Sequence, residues 1–264
     1  METTVPLTLL GRTGVRVSRL CFGTMSFGGD ADEAASAALF HRCREAGINF
    51  FDCANIYSGG RAEEILGRLA APERDRLVLT TKAYFPTGPG ANDRGSSRRH
   101  LVQAVEASLR RLQTDRIDLF FLHRFDDQTP LEETLRAVED LVRSGKILYA
   151  GASNFAAWQV MKALGLAALH HGSPLVCLQP MYSLVKRQAE VELLPLARAE
   201  GLAVIPYSPL GGGLLSGKYA PGVTPAGARL AVNPMYKTRY GDGWMVDAAA
   251  RFAALARARG LPPA

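Results

Sequence analysis

The sequence predicts an α/β protein of the (β/α)8-barrel class, and its hydrophobic pattern carries this prediction. Short apolar runs alternate with amphipathic stretches along the 264 residues, as in repeated strand–helix units around a parallel sheet. The apolar runs are nearly continuous, which is typical of strands that are covered on both faces. An open doubly wound sheet would carry G-x-G-x-x-G after its first strand, where this chain has FGTMSFGGD. The barrel is therefore favoured.

Seven barrel strands are predicted from apolar runs that are bounded by turn residues. They are about Val17–Met25, Asn49–Asn55, Leu77–Tyr84, Ile117–Arg124, Leu148–Asn154, Leu175–Met181 and Ala203–Pro209. Before them, Leu7–Ser18 is predicted to form a small hairpin that caps one end of the barrel. Eight strands close such a barrel. We therefore expect one barrel domain over residues 1–264 that is incomplete at its C-terminal end, with the last unit lost, the barrel open, or the barrel completed by something else.

Helices with an apolar face fill the gaps between these strands. They are predicted at Glu33–Ala46, Ala62–Leu69, Ser97–Leu112, Leu131–Ser144, Ala157–His170, Gln188–Ala199 and Trp244–Arg259. Gly47, Gly145 and Gly201 each follow a helix end, where a left-handed residue commonly stops the helix. Strands and helices together account for most of the chain.

The composition is that of an ordinary globular protein, with 47% hydrophobic and 21% charged residues. No apolar run approaches the ~20 residues needed to span a bilayer, and the N-terminus lacks a signal-peptide pattern. A cytoplasmic protein without a membrane partner is predicted. The net charge of +6 suits a nucleic acid or a phosphate-rich cofactor equally. The densest cluster, Arg94, Arg98 and Arg99, has no interleaved aromatic residues, so no nucleic-acid partner is predicted.

Four polar residues stand out because they interrupt or follow apolar strands near their C-terminal ends. Asp52, Lys82 and His123 belong to the second, third and fourth predicted strands, and Tyr57 follows in a loop. Catalytic groups collect at this face of a (β/α)8 barrel. Taken singly, they are explained more simply as a turn tyrosine, a core histidine and a structural Lys–Asp pair. Their convergence on neighbouring strands favours a catalytic site.

These residue types fit the reduction of a carbonyl group. A free tyrosine has a pKa of about 10, which is high for a proton donor at neutral pH. We expect the Lys82 ammonium to lower the pKa of Tyr57, and Asp52 to hold Lys82 by an ion pair. His123 is expected to orient the carbonyl oxygen. Tyr57 then acts as general acid while a nicotinamide cofactor supplies hydride.

Several stretches resemble the aldo-keto reductase family. They are FFDCANIYSGGRAEEILG, VLTTKAYF, DLFFLHRFD, GASNF, LQPMYSLVKR and IPYSPLGGGLLSGKY, and their order and spacing match the family from about Leu7 to Tyr219. The resemblance is closest to the branch of potassium-channel β-subunit-like proteins and general bacterial reductases. It implies a (β/α)8 barrel and the NADPH-dependent reduction of small aldehydes or ketones to alcohols.

The resemblance also implies roles for individual residues. Tyr57 is the proton donor, Lys82 and Asp52 tune it, and His123 orients the substrate. The residues that it places around the cofactor are Ser153, Asn154 and Gln179 at the nicotinamide carboxamide, Tyr207 on the nicotinamide ring, Ser208, Pro209, Leu210, Gly211, Gly212 and Lys218 around the pyrophosphate, and Gly23, Thr24 and Met25 at the cofactor and substrate mouth. Asp52 is counted among the cofactor-binding residues as well. Amide and hydroxyl groups suit a carboxamide, and glycines with a lysine suit phosphate.

Other interpretations remain open at this point. NADH is the alternative cofactor, because the family holds the adenosine 2′-phosphate with residues after the eighth strand, and Arg229 and Arg239 in a long loop are weak candidates for phosphate contacts. A regulatory cofactor-binding subunit or an impaired fragment is the alternative function, since the family includes channel-associated β-subunits. A Schiff-base aldolase using Lys82 is disfavoured by the nearby Asp52. No metal site is predicted, because the cysteines form no C-x-x-C pair and the other histidines fall in helices.

Overall fold

The computed structural model describes residues 4–219 and 223–264. This described chain divides into two compact units. The first comprises the described residues up to Gln179 together with Leu196–Ile205, and the second comprises Pro180–Pro195 and the described residues from Pro206 onward. The predicted extent of one barrel domain, residues 1–264, stays a prediction.

The first unit is built on a curled parallel sheet. The strands of the described chain are β1 (Leu7–Leu9), β2 (Arg16–Ser18), β3 (Phe22–Gly23), β4 (Phe50–Asp52), β5 (Val78–Ala83), β6 (Ile117–Leu122), β7 (Ile147–Ser153), β8 (Leu175–Gln179) and β9 (Ala203–Val204). β3 to β9 form a seven-stranded sheet in which each strand pairs with the next one along the chain. Sequential parallel pairing with intervening helices is the (β/α)8 pattern, so the predicted fold class is confirmed.

The helices lie close to their predicted positions, with two exceptions. They are α1 (Glu33–Glu45), α2 (Arg61–Ala70), α3 (Arg98–Leu112), α4 (Leu131–Arg143), α5 (Ala157–Leu169), α6 (Leu193–Glu200), α7 (Arg229–Val232), α8 (Pro234–Tyr240) and α9 (Gly243–Ala258). Gly47, Gly145 and Gly201 have φ angles of 81°, 71° and 68°, which confirms their left-handed conformation at helix ends. Within residues 4–219 and 223–264, no helix has the length and apolarity that crossing a membrane requires.

The two exceptions have local causes. The helix predicted over Gln188–Ala199 is a 3₁₀ turn, Gln188–Glu190, followed by α6, which places Pro195 in the first helical turn, where proline is tolerated. The predicted long loop with Arg229 and Arg239 instead carries α7 and α8. In α8 the Asn233 side chain accepts from the backbone N–H groups at the helix start, and proline follows it, so the Asn-Pro pair is a helix-start signal that the prediction overlooked.

The prediction of one strand over Val17–Met25 is wrong. β2 ends at Ser18 and pairs antiparallel with β1, whereas the sheet strand β3 is only Phe22–Gly23. Asn49, directly before β4, binds β2 through its side chain, which accepts from the Ser18 N–H at 2.7 Å and donates to the Arg16 carbonyl oxygen at 3.1 Å. The last predicted strand also shortens to β9, since Pro180, the residue directly after β8, has no N–H with which to continue the ladder.

The β1–β2 hairpin covers the N-terminal end of the sheet, as predicted. Leu10 and Val17 are buried in one cluster with Phe50, Val78 and Cys177. Phe50 and Val78 are the first residues of β4 and β5, so the hairpin lies at the end of the sheet opposite to the ends of β4 and β5 that carry Asp52 and Lys82. Each fully buried side chain of this size contributes about 1.5–3 kcal/mol. The hairpin thus closes one end of the sheet with apolar side chains and leaves the end with Asp52 and Lys82 free of it.

The second unit has a hydrophobic core of its own. Most of its buried side chains come from the segment Gly211–Ser216 and from α7, α8 and α9, and Val185, Tyr219 and Ala228 complete it. At Gly212, where φ is 66°, a Cβ would lie 2.5 Å from Cδ1 of Tyr236, so only glycine fits at this close approach. The core of this unit thus fixes the backbone of the glycine-rich loop.

We predict opposite effects for alanine at two helix glycines. At Gly67 in α2 a Cβ would lie 2.5 Å from the Leu112 backbone carbonyl carbon, whereas at Gly165 in α5 it would meet nothing within 4 Å. Gly67→Ala should lower the free energy of unfolding by about 1–3 kcal/mol through overpacking. Gly165→Ala should raise it by about 0.5–1 kcal/mol through helix propensity. Urea denaturation measures both, and equal effects would contradict the close α2–α3 packing.

Candidate active site

A buried ion pair lies at the C-terminal ends of β4 and β5. Lys82 is fully buried, and its Nζ donates to Oδ2 of Asp52 at 2.5 Å and to the Cys53 carbonyl oxygen at 2.6 Å. The same Nζ lies 3.4 Å from Oη of Tyr57. The rings of Tyr57 and His123 meet edge to face with their centroids 6.2 Å apart. The structure thus brings together the four residues that the sequence singled out.

Asp52 has further partners on its second oxygen. Oδ1 accepts from Oγ1 of Thr80 at 2.7 Å and from Nε2 of Gln179 at 2.9 Å. Thr80 lies directly beside Asp52 in the β4–β5 register. A buried carboxylate is tolerated when both oxygens are paired. The sequence analysis missed Thr80. Aligning the two neighbouring apolar runs as paired strands could have found it, because that register sets Thr80 beside Asp52.

A tight turn brings Tyr57 back to the strand ends. In the segment Tyr57–Gly60, the φ angles of Ser58, Gly59 and Gly60 are 50°, 64° and 95°. Glycine adopts this left-handed conformation most readily, and the NIYSGG stretch has glycine at two of the three positions. The turn itself is at the surface, since Ser58 and Gly59 are exposed, but Tyr57 is half-buried and its Oη lies 3.4 Å from Lys82 Nζ. The simpler explanation therefore describes the turn but not the position of the phenol.

Burial decides the proton affinity of the phenol and of the ammonium. Burial raises the pKa of Tyr57 above its ordinary value of 10, and the Lys82 ammonium opposes this rise without cancelling it. Lys82 thus acts in the expected direction, but the pKa of Tyr57 is raised overall because burial is the larger cause. Burial is the largest single influence on Lys82 and lowers its pKa, but the charge of Asp52, the neighbouring Tyr57 and the hydrogen bond to Asp52 together outweigh burial, so the pKa of Lys82 is raised. The site holds a protonated phenol beside a charged lysine.

His123 is neutral in this environment. Burial first, and then the charge of Lys82, lowers the pKa of His123 from 6.5 to about 3. Its Nδ1 is buried and has no hydrogen-bond partner among the described residues. Phe85 packs edge to face on the imidazole at 4.9 Å between centroids. A neutral imidazole keeps one N–H to donate and one nitrogen to accept.

The predicted carboxamide residues form one hydrogen-bonded group beside these residues. Oγ of Ser153 donates to the Gln179 carbonyl oxygen at 3.0 Å, and Nδ2 of Asn154 donates to the His123 carbonyl oxygen at 2.9 Å. Because Gln179 also donates to Asp52, this group and the ion pair share a hydrogen-bond network. Ser153 and Gln179 are the last residues of β7 and β8, which places their polar groups at the same end of the sheet.

The residues predicted at the mouth follow β3. The backbone N–H and Oγ1 of Thr24 both donate to the Asp52 carbonyl oxygen, at 2.8 and 2.9 Å. Met25 is 43% exposed, so it is available to a ligand. Thr24 fixes the first loop against β4 through this pair of bonds.

The predicted pyrophosphate residues lie in the second unit. The backbone is left-handed at Ser208, Gly211 and Gly212, with φ of 56°, 59° and 66°. A Cβ at Gly213 would lie 3.3 Å from Nζ of Lys218, so the lysine ammonium lies against this loop. Turns of this kind gather backbone N–H groups and bind anions. Tyr207, at the start of the segment, is half-buried, and burial raises the pKa of its phenol.

Other chemistry finds less support in the described residues. Among them, no group of three His, Cys, Asp or Glu side chains is placed to hold a metal ion. Within the same ranges, no cysteine forms a disulfide. Lys82 donates to a carboxylate rather than standing free as a nucleophile, which disfavours the Schiff-base interpretation.

Comparison with known proteins points to one family. The family described as "Aldo/keto reductase family" matches residues 19–264. "Uncharacterized oxidoreductase YrpG" of Bacillus subtilis (strain 168) is 47% identical over 222 residues, which is 80% of this chain and 68% of that protein. Two proteins named "Probable voltage-gated potassium channel subunit beta" match over 84% of this chain and 69% of their own length, at 42% identity in Oryza sativa subsp. japonica and 40% in Arabidopsis thaliana.

The neutral state of His123 predicts a pH dependence of stability. Its pKa is about 3 in the folded protein against an ordinary 6.5, so between these values the unfolded chain binds one more proton. The buried neutral imidazole costs the folded protein no stability above pH 6.5. Below pH 6.5 the free energy of unfolding falls by about 1.4 kcal/mol per pH unit, because protonation favours the unfolded chain. Between pH 6 and 4, His123→Asn should make the decline in the free energy of unfolding shallower by up to that amount.

The exposed His171 provides the matched control, since His171→Asn keeps a residue that tolerates its φ of 50°. Urea denaturation at several pH values gives the slopes. Equal slopes for the wild type and His123→Asn would show that the imidazole is not buried in its neutral form.

Proposed function

Since the chain belongs to the aldo/keto reductase family of oxidoreductases, we propose that it reduces small aldehydes or ketones to alcohols with NADPH. The observation that carries this proposal is the buried Lys82–Asp52 pair with Lys82 Nζ 3.4 Å from the Tyr57 phenol oxygen. A phenol in this setting has a proton to give and a cation beside it to stabilise the phenolate that remains. Carbonyl reduction needs both properties.

The proton transfer follows from the electrostatics of the site. A nicotinamide cofactor, when bound, would supply the hydride for the carbonyl carbon. Tyr57 gives its proton to the carbonyl oxygen, and the phenolate that is left faces the Lys82 ammonium. The raised pKa keeps Tyr57 protonated before the reaction, while the cation lowers the energy of the charge that develops during it. Asp52 keeps Lys82 charged and in place.

His123 supports this step as a neutral hydrogen-bond donor. Its low pKa prevents it from acting as the acid at neutral pH, so it directs the carbonyl oxygen through one N–H. Phe85 holds the imidazole plane from one side. Tyr57 is then the group in this site that carries the transferable proton.

The chemistry of the residues present fits a nicotinamide cofactor. We assign the carboxamide to Ser153, Asn154 and Gln179, whose hydroxyl and amide groups are gathered at strand ends. We assign the pyrophosphate to the glycine-rich loop and Lys218, on the left-handed backbone and the adjacent ammonium. NADPH is our proposal for the cofactor, and NADH is the alternative.

A second candidate function comes from the plant relatives. Two proteins at 42% and 40% identity are named as probable potassium channel β subunits. We therefore carry a cofactor-binding regulatory subunit as the alternative. It predicts nicotinamide binding with little turnover, whereas the reductase predicts steady oxidation of NADPH by an aldehyde.

Replacing Tyr57 tests the reductase. Tyr57→Phe keeps the ring but removes the proton, so kcat should fall by about 10²–10⁴, while the Kd for NADPH stays within about twofold. Tyr84→Phe is the matched control, because Tyr84 is a half-buried tyrosine that packs on Phe85. The loss of NADPH absorbance with a small aldehyde gives kcat, and fluorescence titration gives Kd. Full activity in Tyr57→Phe would rule out this mechanism.

Replacing Lys218 tests the phosphate assignment. Lys218→Met removes the ammonium beside Gly213, and the loss of a charged hydrogen bond of about 1.5 kcal/mol raises the Kd for NADPH roughly tenfold. Lys237→Met removes an exposed lysine on α8 and should leave the Kd unchanged. An unaltered Kd in Lys218→Met would show that this loop does not hold the cofactor phosphates.

A further inference from the structure

Glu63 is a fully buried carboxylate outside the residues considered so far. It lies in the first turn of α2 and has 0% of its surface exposed. Its Oε1 accepts from Oγ1 of Thr81 at 2.5 Å, and its Oε2 accepts from Nε of Arg111 at 2.6 Å. A carboxylate with no exposure is costly unless both oxygens are paired. The chain retains it here with two partners from two different elements.

These contacts join the segment of Tyr57 to the strand of Lys82. Thr81 immediately precedes Lys82 in β5, and neighbouring strand residues face opposite sides of the sheet. Lys82 therefore faces Asp52 while Thr81 faces Glu63. Glu63 in turn follows the Tyr57–Gly60 turn within the first helical turn of α2. The Glu63–Thr81 bond thus spans the two backbone segments on which Tyr57 and Lys82 are carried.

Arg111 provides a second connection, to the turn itself. A Cβ at Gly60 would lie 3.0 Å from both Cδ and Nε of Arg111, so the arginine side chain packs directly on the last residue of the turn. Arg111 reaches this position from α3, and its Nε also holds Glu63. The buried carboxylate and the turn share one arginine, which ties the conformation of the turn to the charge of Glu63.

We propose that Glu63, held by Thr81 and Arg111, is a positioning residue for Tyr57 that sets the spacing between the phenol oxygen and Lys82 Nζ. This proposal rests on the proposed reductase function for its effect on catalysis. The spacing depends on how closely the start of α2 approaches β5. Loosening that approach moves the phenol away from Lys82 and toward water, and both proton transfer and the proton affinity of Tyr57 change.

Two substitutions remove different parts of the connection. Glu63→Gln keeps the shape but removes the charge that pairs with Arg111, and Thr81→Val removes only the hydroxyl donor. We expect kcat to fall about tenfold in each, with KM for the aldehyde changed less than about twofold. Thr81→Ser restores the donor and should return kcat to within about twofold of the wild type. If Glu63→Gln does not fold, the Val and Ser variants decide the matter.

A distant ion pair on the same sheet supplies the matched control. Asp118, near the start of β6, accepts from the Leu79 N–H and pairs with Arg74, with 14% and 11% of the two side chains exposed. Asp118→Asn should lower Tm as Glu63→Gln does but leave kcat unchanged. Wild-type kcat in both Glu63→Gln and Thr81→Val, with only Tm reduced, would overturn the proposal. So would a Thr81→Ser variant as slow as Thr81→Val.

A measurement without turnover separates this proposal from the proposed function. Carbon-13 NMR of labelled tyrosine, with the Tyr57 signal assigned by Tyr57→Phe, follows ionisation of the phenol directly. Because burial is the largest cause of the raised pKa of Tyr57, Glu63→Gln and Thr81→Val should bring that pKa down toward about 10. An unchanged pKa in both would overturn the positioning role. A shift in a protein that reduces no carbonyl would uphold the positioning role and count against the reductase.

Discussion

The Lys82–Asp52 ion pair is the interaction on which the rest of the site depends. An ammonium with no exposed surface is stable only where its charge is matched and its hydrogen bonds are made. Asp52 supplies the charge, and the Cys53 carbonyl supplies a further acceptor. Asp52 and Cys53 both lie at the end of β4. Lys82 therefore joins the end of β5 to the end of β4, just before the chain turns toward Tyr57.

The second oxygen of Asp52 carries this order further through the first unit. Gln179, 127 positions along the chain, donates to it from the end of β8. Ser153 donates to the Gln179 carbonyl oxygen, and Asn154 donates to the His123 carbonyl oxygen. The ends of β4, β6, β7 and β8 are therefore connected by polar contacts in addition to the apolar core. Such a network is rigid when all its members are paired.

The sequence predicts the fold class and the four central residues because both depend on local sequence patterns. Apolar runs mark strands, and a polar residue at the end of such a run is visible without coordinates. The partners that hold these residues are less visible. Thr81 and Arg111 meet Glu63 only because β5, α3 and α2 pack together, and no spacing along the chain records that packing. The hydrogen bonds of the Asn49 side chain to Arg16 and Ser18 in β2 are likewise visible only in the folded chain.

The net direction of the Tyr57 pKa shift could not be predicted from the sequence for a related reason. Sequence shows that Lys82 is close enough to matter, and a cation lowers the pKa of a phenol. It does not show how deeply the phenol is buried, and burial is the larger cause in the folded protein. The sign of an electrostatic effect is therefore harder to predict than the identity of the charges, because two contributions of opposite sign must be compared.

Burial keeps Tyr57 protonated and His123 unprotonated, while Lys82 and Asp52 cancel each other's charge. The four residues together present no net charge, only hydrogen-bond donors and a matched ion pair. A neutral carbonyl group meets no unpaired charge there. In the proposed reaction Tyr57 gives up its proton, and the single negative charge that then appears on the phenol oxygen lies 3.4 Å from Lys82 Nζ. Burial makes ionisation of Tyr57 unfavourable in the free protein. The same burial strengthens the attraction between the phenolate and the Lys82 ammonium in the proposed reaction, because charges interact more strongly where water is excluded.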